Sequence, residues 1–83
     1  VSTPTGDIPK TTTPPHADAA TIGSRLRAAR RTRNLTLRDV EAEAGLSKAH
    51  LCRIEGGKTV PGLLIAARLA ALYGTTLDAV AAP

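Results

Sequence analysis

The stretch TLRDVEAEAGLSKAHLCRI, residues 36–54, constrains this chain more than any other part of it. Its punctuation predicts two short helices joined by a tight turn. Thr36 can cap the first of them, and Asp39, three residues on, supplies the acidic half of a capping box. Leu37, Val40 and Ala44 then share one face. Gly45 stands where the chain must reverse, at a point whose left-handed backbone favours glycine. Leu46 plugs the turn, Ser47 can cap the second helix, and Leu51 and Ile54 point back into a core. Lys48, Ala49, His50, Cys52 and Arg53 are left to the outer face and the flanks. A short helix with Lys, His and Arg on its exposed side suits the major groove of DNA.

The remaining residues supply helices to hold this pair. The 83 residues allow one small domain, and without Phe, Trp or Met its core must be built from Leu, Ile, Val and Ala, with Tyr73 the only aromatic. A first helix is expected from about Thr21 to Arg33, capped by Asp18 or Thr21, with Ile22, Leu26 and Ala29 as its apolar stripe. Arg25, Arg27, Arg31 and Arg33 lie off that stripe. Asn34 tolerates a left-handed stop. The second helix is expected over Leu37–Ala44 and the third from Lys48 to Ile54 or Glu55, ended by Gly56 and Gly57. Pro61 then opens a fourth, where its missing N–H costs nothing. Its stripe is Leu63, Ala66, Ala67, Ala70 and Tyr73, and Gly74 ends it. Thr76 caps a last short helix through Leu77 and Val80, with Asp78 in its first turn. Residues 1–20 carry four prolines and no apolar periodicity, so they read as a disordered Thr/Pro-rich arm, leaving 21–83 as the domain.

The formal charge of +4 is unevenly placed: residues 25–58 hold nine Lys or Arg against four acidic residues. A localised positive field on a small domain suggests a polyanionic partner. The single cysteine, Cys52, excludes an internal disulfide and a Cys-based zinc site and fits a reducing cytoplasm. It reads as a small, half-buried filler. No apolar run is long enough for a bilayer, and no secretion signal opens the chain. Enzyme chemistry finds no support. There is no nucleophile with a partnered base, no cluster of metal ligands and no phosphate loop. His16 falls in the arm, His50 has no carboxylate at useful spacing, and Glu41 and Glu43 read as solvated charges. No cofactor, metal or small-molecule substrate is expected.

Several segments together resemble the large XRE-type helix-turn-helix family, which includes phage Cro proteins and lambda-repressor-like domains. They are LRAARRTRNLT entering the second helix, LSKAHLCRIEGGK over the third helix and its exit, and the run from Pro61 through LAALYGTTLD. The resemblance covers about residues 21–80. It implies an all-α, compact five-helix domain that binds double-stranded DNA. It also implies that Arg30 and Glu55 form an ion pair tying the third helix to the first, which positions more than it stabilises. By position, the family places Lys48 and Ala49 at base edges, with Arg53 one turn on and His50 beside them. Arg and Lys can donate to the O6 and N7 of guanine, while Ala offers only apolar contact. Phosphate contacts are expected from Arg33, Thr36, Arg38, Ser47 and Lys58, around the free N–H groups that open the second helix. Leu37 departs from the glutamine common at its position, which weakens that clamp or shifts it to Arg38.

A second surface is expected on the fourth helix. Leu64, Ile65 and Leu72 are apolar where relatives usually carry polar or small residues, and Leu77 and Val80 extend the patch. The expected assembly is a symmetric homodimer reading two half-sites about 34 Å apart. The expected function is a sequence-specific transcriptional regulator that acts by occupying an operator. It is either Cro- or repressor-like, from a phage or prophage, or an antitoxin controlling its own operon. The alternative is a protein-interaction adaptor on the same fold, with the fourth helix as its partner surface.

Overall fold

Every helix but α4 begins at a side chain that accepts from one of its free N–H groups. The computed structural model of the protein describes residues 16–83. Helix α1, Ala19–Thr32, is capped by Asp18, whose carboxylate accepts from the Thr21 N–H at 2.9 Å. That bond holds the Asp18 carboxyl below its ordinary value. Helix α2, Leu37–Ala44, has both halves of a capping box. The Thr36 hydroxyl accepts from the Asp39 N–H at 3.1 Å, and the Asp39 carboxylate accepts from the Thr36 N–H at 2.9 Å. Ser47 opens α3, Lys48–Glu55, and Thr76 opens α5, Leu77–Ala81. Between them lies α4, Leu63–Leu72. Asn34 at φ 57° and Gly45 at φ 70° take the left-handed conformations that end α1 and α2.

The domain begins earlier than its apolar pattern suggested. Ala17 is buried, and its N–H donates to the Ala81 carbonyl at 2.8 Å. With Ala19 and Ala20 in α1, residues 16–20 belong to the folded unit and not to an arm. A run of alanines carries no periodic contrast, so the sequence pattern could not mark this boundary. The rest of the expected arm, residues 1–15, lies outside the described residues.

The core forms where α1, α3 and α5 close over α2 and α4. Leu26, Val40, Leu51, Ile54 and Leu69 are fully buried, joined by Ile22, Ala44, Tyr73 and Val80. Each large aliphatic side chain contributes about 1.5–3 kcal/mol by leaving water. Arg25 closes the end of this packing, donating to the Val80 and Ala82 carbonyls at 3.1 and 2.6 Å. Among the described residues no helix is long and apolar enough to cross a membrane.

Helix α4 corrects two expectations. Pro61 is buried ahead of the helix, Gly62 is its N-cap, and the first helical residue is Leu63. The helix is also rotated from its expected stripe. Leu69, Ala70 and Tyr73 are buried, Ala66 and Ala67 half-buried, and Leu63 is 72% exposed. A helix apolar on more than one face gives no single preferred face, so the packing of α4 against α2 and α5 sets the rotation.

That rotation also revises the expected dimer patch. Val80 is only 2% exposed and belongs to the core, while Ile65 and Leu72 pack against the core and Leu77 is half-buried. Of that set Leu64 alone stands out, at 78% exposed, and its exposed apolar neighbours are Val60 and Leu63.

Tyr73 reports on the core through its phenol. Burial first, and the nearby Glu55 carboxylate second, push its pKa up from 10.0 to about 12, while Arg30 opposes the rise. The unfolded chain therefore loses this proton first as pH rises. Stability is intact below about pH 10 and falls through about pH 12, by about 2–3 kcal/mol from this one group. Tyrosinate absorbance should titrate near the upper value. Denaturation midpoints should fall across the same window in the wild type and stay flatter in Tyr73→Phe. Equal falls in both proteins would assign the effect elsewhere.

Candidate nucleic-acid interface

The outward face of α3 is fixed by its two inward anchors. Leu51 and Ile54 are buried, which leaves Lys48, Ala49, Cys52 and Arg53 exposed and His50 half-buried. Cys52 is therefore a surface thiol and not a half-buried filler. It lies one turn from Ala49 on the same side of the helix.

Both ends of α3 are held. At the start, the Ser47 hydroxyl accepts from the His50 N–H at 3.1 Å. The Glu41 carboxylate, reaching across from α2, accepts from the Lys48 N–H at 3.0 Å. Glu41 is thus a bridge over the turn, where the sequence suggested only a solvated charge. A carboxylate at this place also favours the positive end of the α3 dipole. Arg68 of α4 closes the other side of the turn, donating to the Ala44 carbonyl at 3.1 Å.

At the end of α3, Arg30 and Glu55 meet as a two-toothed pair. Arg30 Nε donates to Glu55 Oε2 at 2.7 Å, and Nη2 donates to Oε1 at 3.0 Å. Nη1 donates to the Leu35 carbonyl at 2.7 Å, so one guanidinium joins α1, α3 and the loop before α2. The side chains are 10% and 9% exposed. The hydrogen bond to Glu55 raises the Arg30 pKa against the opposing effect of burial. Beside this pair the helices approach closely through Gly23 of α1. A methyl group there would fall on the Ile54 carbonyl oxygen and 2.8 Å from that of Glu55.

A shallow recess of about 580 Å³ opens between the end of α1, the start of α2 and the start of α3, with Arg31, Thr36, Arg38 and Lys48 among its walls. The first-turn N–H groups of Leu37 and Arg38 have no partner within the helix, so this end of α2 can receive an anion. Thr36, Arg38 and Lys48 are brought together here. Arg33 is not. Its guanidinium lies against Gly74, where a Cβ would sit 2.7 Å from Nη1, at the end of α4. Arg31, one residue short of the helix end, takes the place expected of Arg33. Ser47 and Lys58 are exposed but do not line the recess. The Lys58 stem runs beside Gly56, beyond the other end of α3.

Pattern reading missed Gly23, Arg25, Glu41 and Arg68 as structural groups. Only Gly23 left a signal, since a lone glycine within a helical pattern often marks a close approach. The other three act across helices that are far apart in sequence or turn back on one another.

A family model described as a helix-turn-helix domain matches residues 21–82. Among solved structures, the chain is similar to an HTH_3 family transcriptional regulator from Vibrio cholerae. Identity is 27% and the TM-score 0.67, over 75% of this chain and 35% of that one. It is also similar to the restriction-modification controller protein C.AhdI from Aeromonas hydrophila. There identity is 21% and the TM-score 0.69, over 75% of this chain and 94% of that one. The second likeness shows the fold alone. The match to the Vibrio protein spans about a third of its length. No curated protein matches the chain.

Proposed function

The chain belongs to the helix-turn-helix domain family, and on that footing we propose that it is a sequence-specific, double-stranded DNA-binding transcriptional regulator. It inserts α3 into the major groove and acts by occupying an operator, in the manner of a Cro or repressor protein. The observation that carries this reading is the exposed cationic face of α3, propped by Leu51 and Ile54 and locked to α1 through Arg30 and Glu55. Lys48 and Arg53 donate to base edges, Ala49 makes apolar contact and His50 flanks them. Thr36 and Arg38 hold a phosphate at the start of α2, with Ser47 and Lys58 nearer the ends of α3. The regulator works as a symmetric homodimer. The support for this is the exposed apolar group of Val60, Leu63 and Leu64, which lies in one short segment at the start of α4.

Selection of binding sites from a random duplex pool, followed by footprinting, tests both parts. The expected footprint holds two symmetric half-sites about 34 Å apart. Arg53→Ala is expected to lose about 1–3 kcal/mol, concentrated at one base position in each half-site. Equal weakening on every sequence would make Arg53 a phosphate contact, and a single asymmetric site would remove the dimer. No duplex binding at low salt would overturn the DNA reading in favour of a protein-interaction adaptor.

A further inference from the structure

Of the exposed cations on α1, Arg31 walls the recess beside α3, and Arg27 stands one turn back along the helix, outside it. We propose that the phosphate track continues from the recess along the outer side of α1, through Arg31 to Arg27. The protein would then grip DNA backbone outside the base pairs that α3 reads. This inference rests on the DNA-binding reading above.

Three hollows in the surface run into one another here. Arg31 lines the recess shared with Thr36, Arg38 and Lys48. Arg27 and Arg31 together line a second hollow of about 350 Å³, toward Cys52 and Gly56, and a third of about 360 Å³ with Ser24 and Ala28. Arg31 is common to all three. The only acidic residue along this path is Glu55, and its carboxylate is bound by Arg30.

The chemistry of the stripe points to an external anion. Arg25, Arg30 and Arg68 each donate to protein atoms. Arg27 and Arg31 are exposed, and among the described residues no hydrogen bond or ion pair engages either guanidinium. They stand four residues apart, so like charges face each other across one helical turn. Such a pair repels within an isolated helix. A bound phosphate strand turns that repulsion into attraction. Ser24 and Ala28 lie on the same stripe, and their small side chains let a polyanion approach between the guanidinium groups. Duplex DNA fits better than an acidic peptide, because the stripe is continuous with the recess at the start of α2.

The test is binding to a mixed-sequence duplex of about 30 base pairs, measured as a function of salt. It compares the wild type, the double variant Arg27→Gln with Arg31→Gln, and Arg33→Gln as a charge control on a side chain outside all three hollows. Each lost phosphate contact lowers the log–log salt slope by about 0.9, so the double variant should fall short of the wild type by about 1.8. Between about 50 and 200 mM salt its affinity should therefore fall about tenfold less than that of the wild type. Arg33→Gln should keep the wild-type slope. The double variant should melt no lower than the wild type, since neither side chain is engaged and their mutual repulsion is relieved. A double variant with the slope of Arg33→Gln would overturn the α1 track and leave the DNA reading standing. A wild type that fails to bind the duplex at low salt would overturn both.

Discussion

Glu55→Ala should lower the unfolding free energy by about 3–5 kcal/mol, the largest effect expected of any single substitution outside the aliphatic core. The Arg30 guanidinium is nearly buried, and two of its nitrogens donate to the Glu55 carboxylate. Truncating Glu55 leaves that charge with only the Leu35 carbonyl. Domains of this size hold roughly 0.05–0.15 kcal/mol per residue, so such a loss consumes much or all of the margin. Helical circular dichroism in a urea titration measures it. The double variant Arg30→Met with Glu55→Leu should recover most of the stability, because two packed apolar groups avoid the desolvation that the ion pair must offset. A single-variant loss below about 1 kcal/mol would make the pair equivalent to a surface salt bridge. The recovered double variant should still bind DNA poorly. It would lack the group that joins α1, α3 and the loop before α2.

Gly23→Ala should destabilise the protein, although the same change in an exposed helix interior gains about 1 kcal/mol. The new methyl meets the carbonyl oxygens of Ile54 and Glu55, which are backbone and cannot swing aside. Forcing one methyl into such a contact costs about 1–3 kcal/mol, and occasionally more. The sign of the change is the measurement that matters. A raised melting temperature would mean that α1 and α3 separate cheaply. The expected fall would be accompanied by a shift of the last turn of α3, where Ile54 and Glu55 sit. Duplex binding by the folded fraction should weaken with it.

The contrast between these two residues shows what was legible. The Arg30–Glu55 pair came from a resemblance, since no local pattern joins residues 25 positions apart. Gly23 left only the general signal of a lone glycine within a helical pattern. Which backbone approaches it, that of Ile54 and Glu55, is a distance a sequence does not carry. The caps behaved differently. Thr36 with Asp39, Ser47 and Thr76 are each read and satisfied within four residues.

The sequence by itself therefore determined the order of the five helices and most of the residues that bound them, though not the start of α1 or of α4. Caps, left-handed stops and apolar spacing act within one or two turns, and that range lies inside the chain's own local text. It also determined which side of α3 faces out, because Leu51 and Ile54 are apolar against a polar remainder. Only the tertiary structure decided the rotation of α4, which is apolar on more than one face and takes its buried side from α2 and α5. The same holds for the inclusion of residues 16–20, for the turn of Arg33 toward Gly74 and for the reach of Glu41 to the Lys48 N–H. Each of these depends on which partner lies within a few ångströms once the helices are assembled.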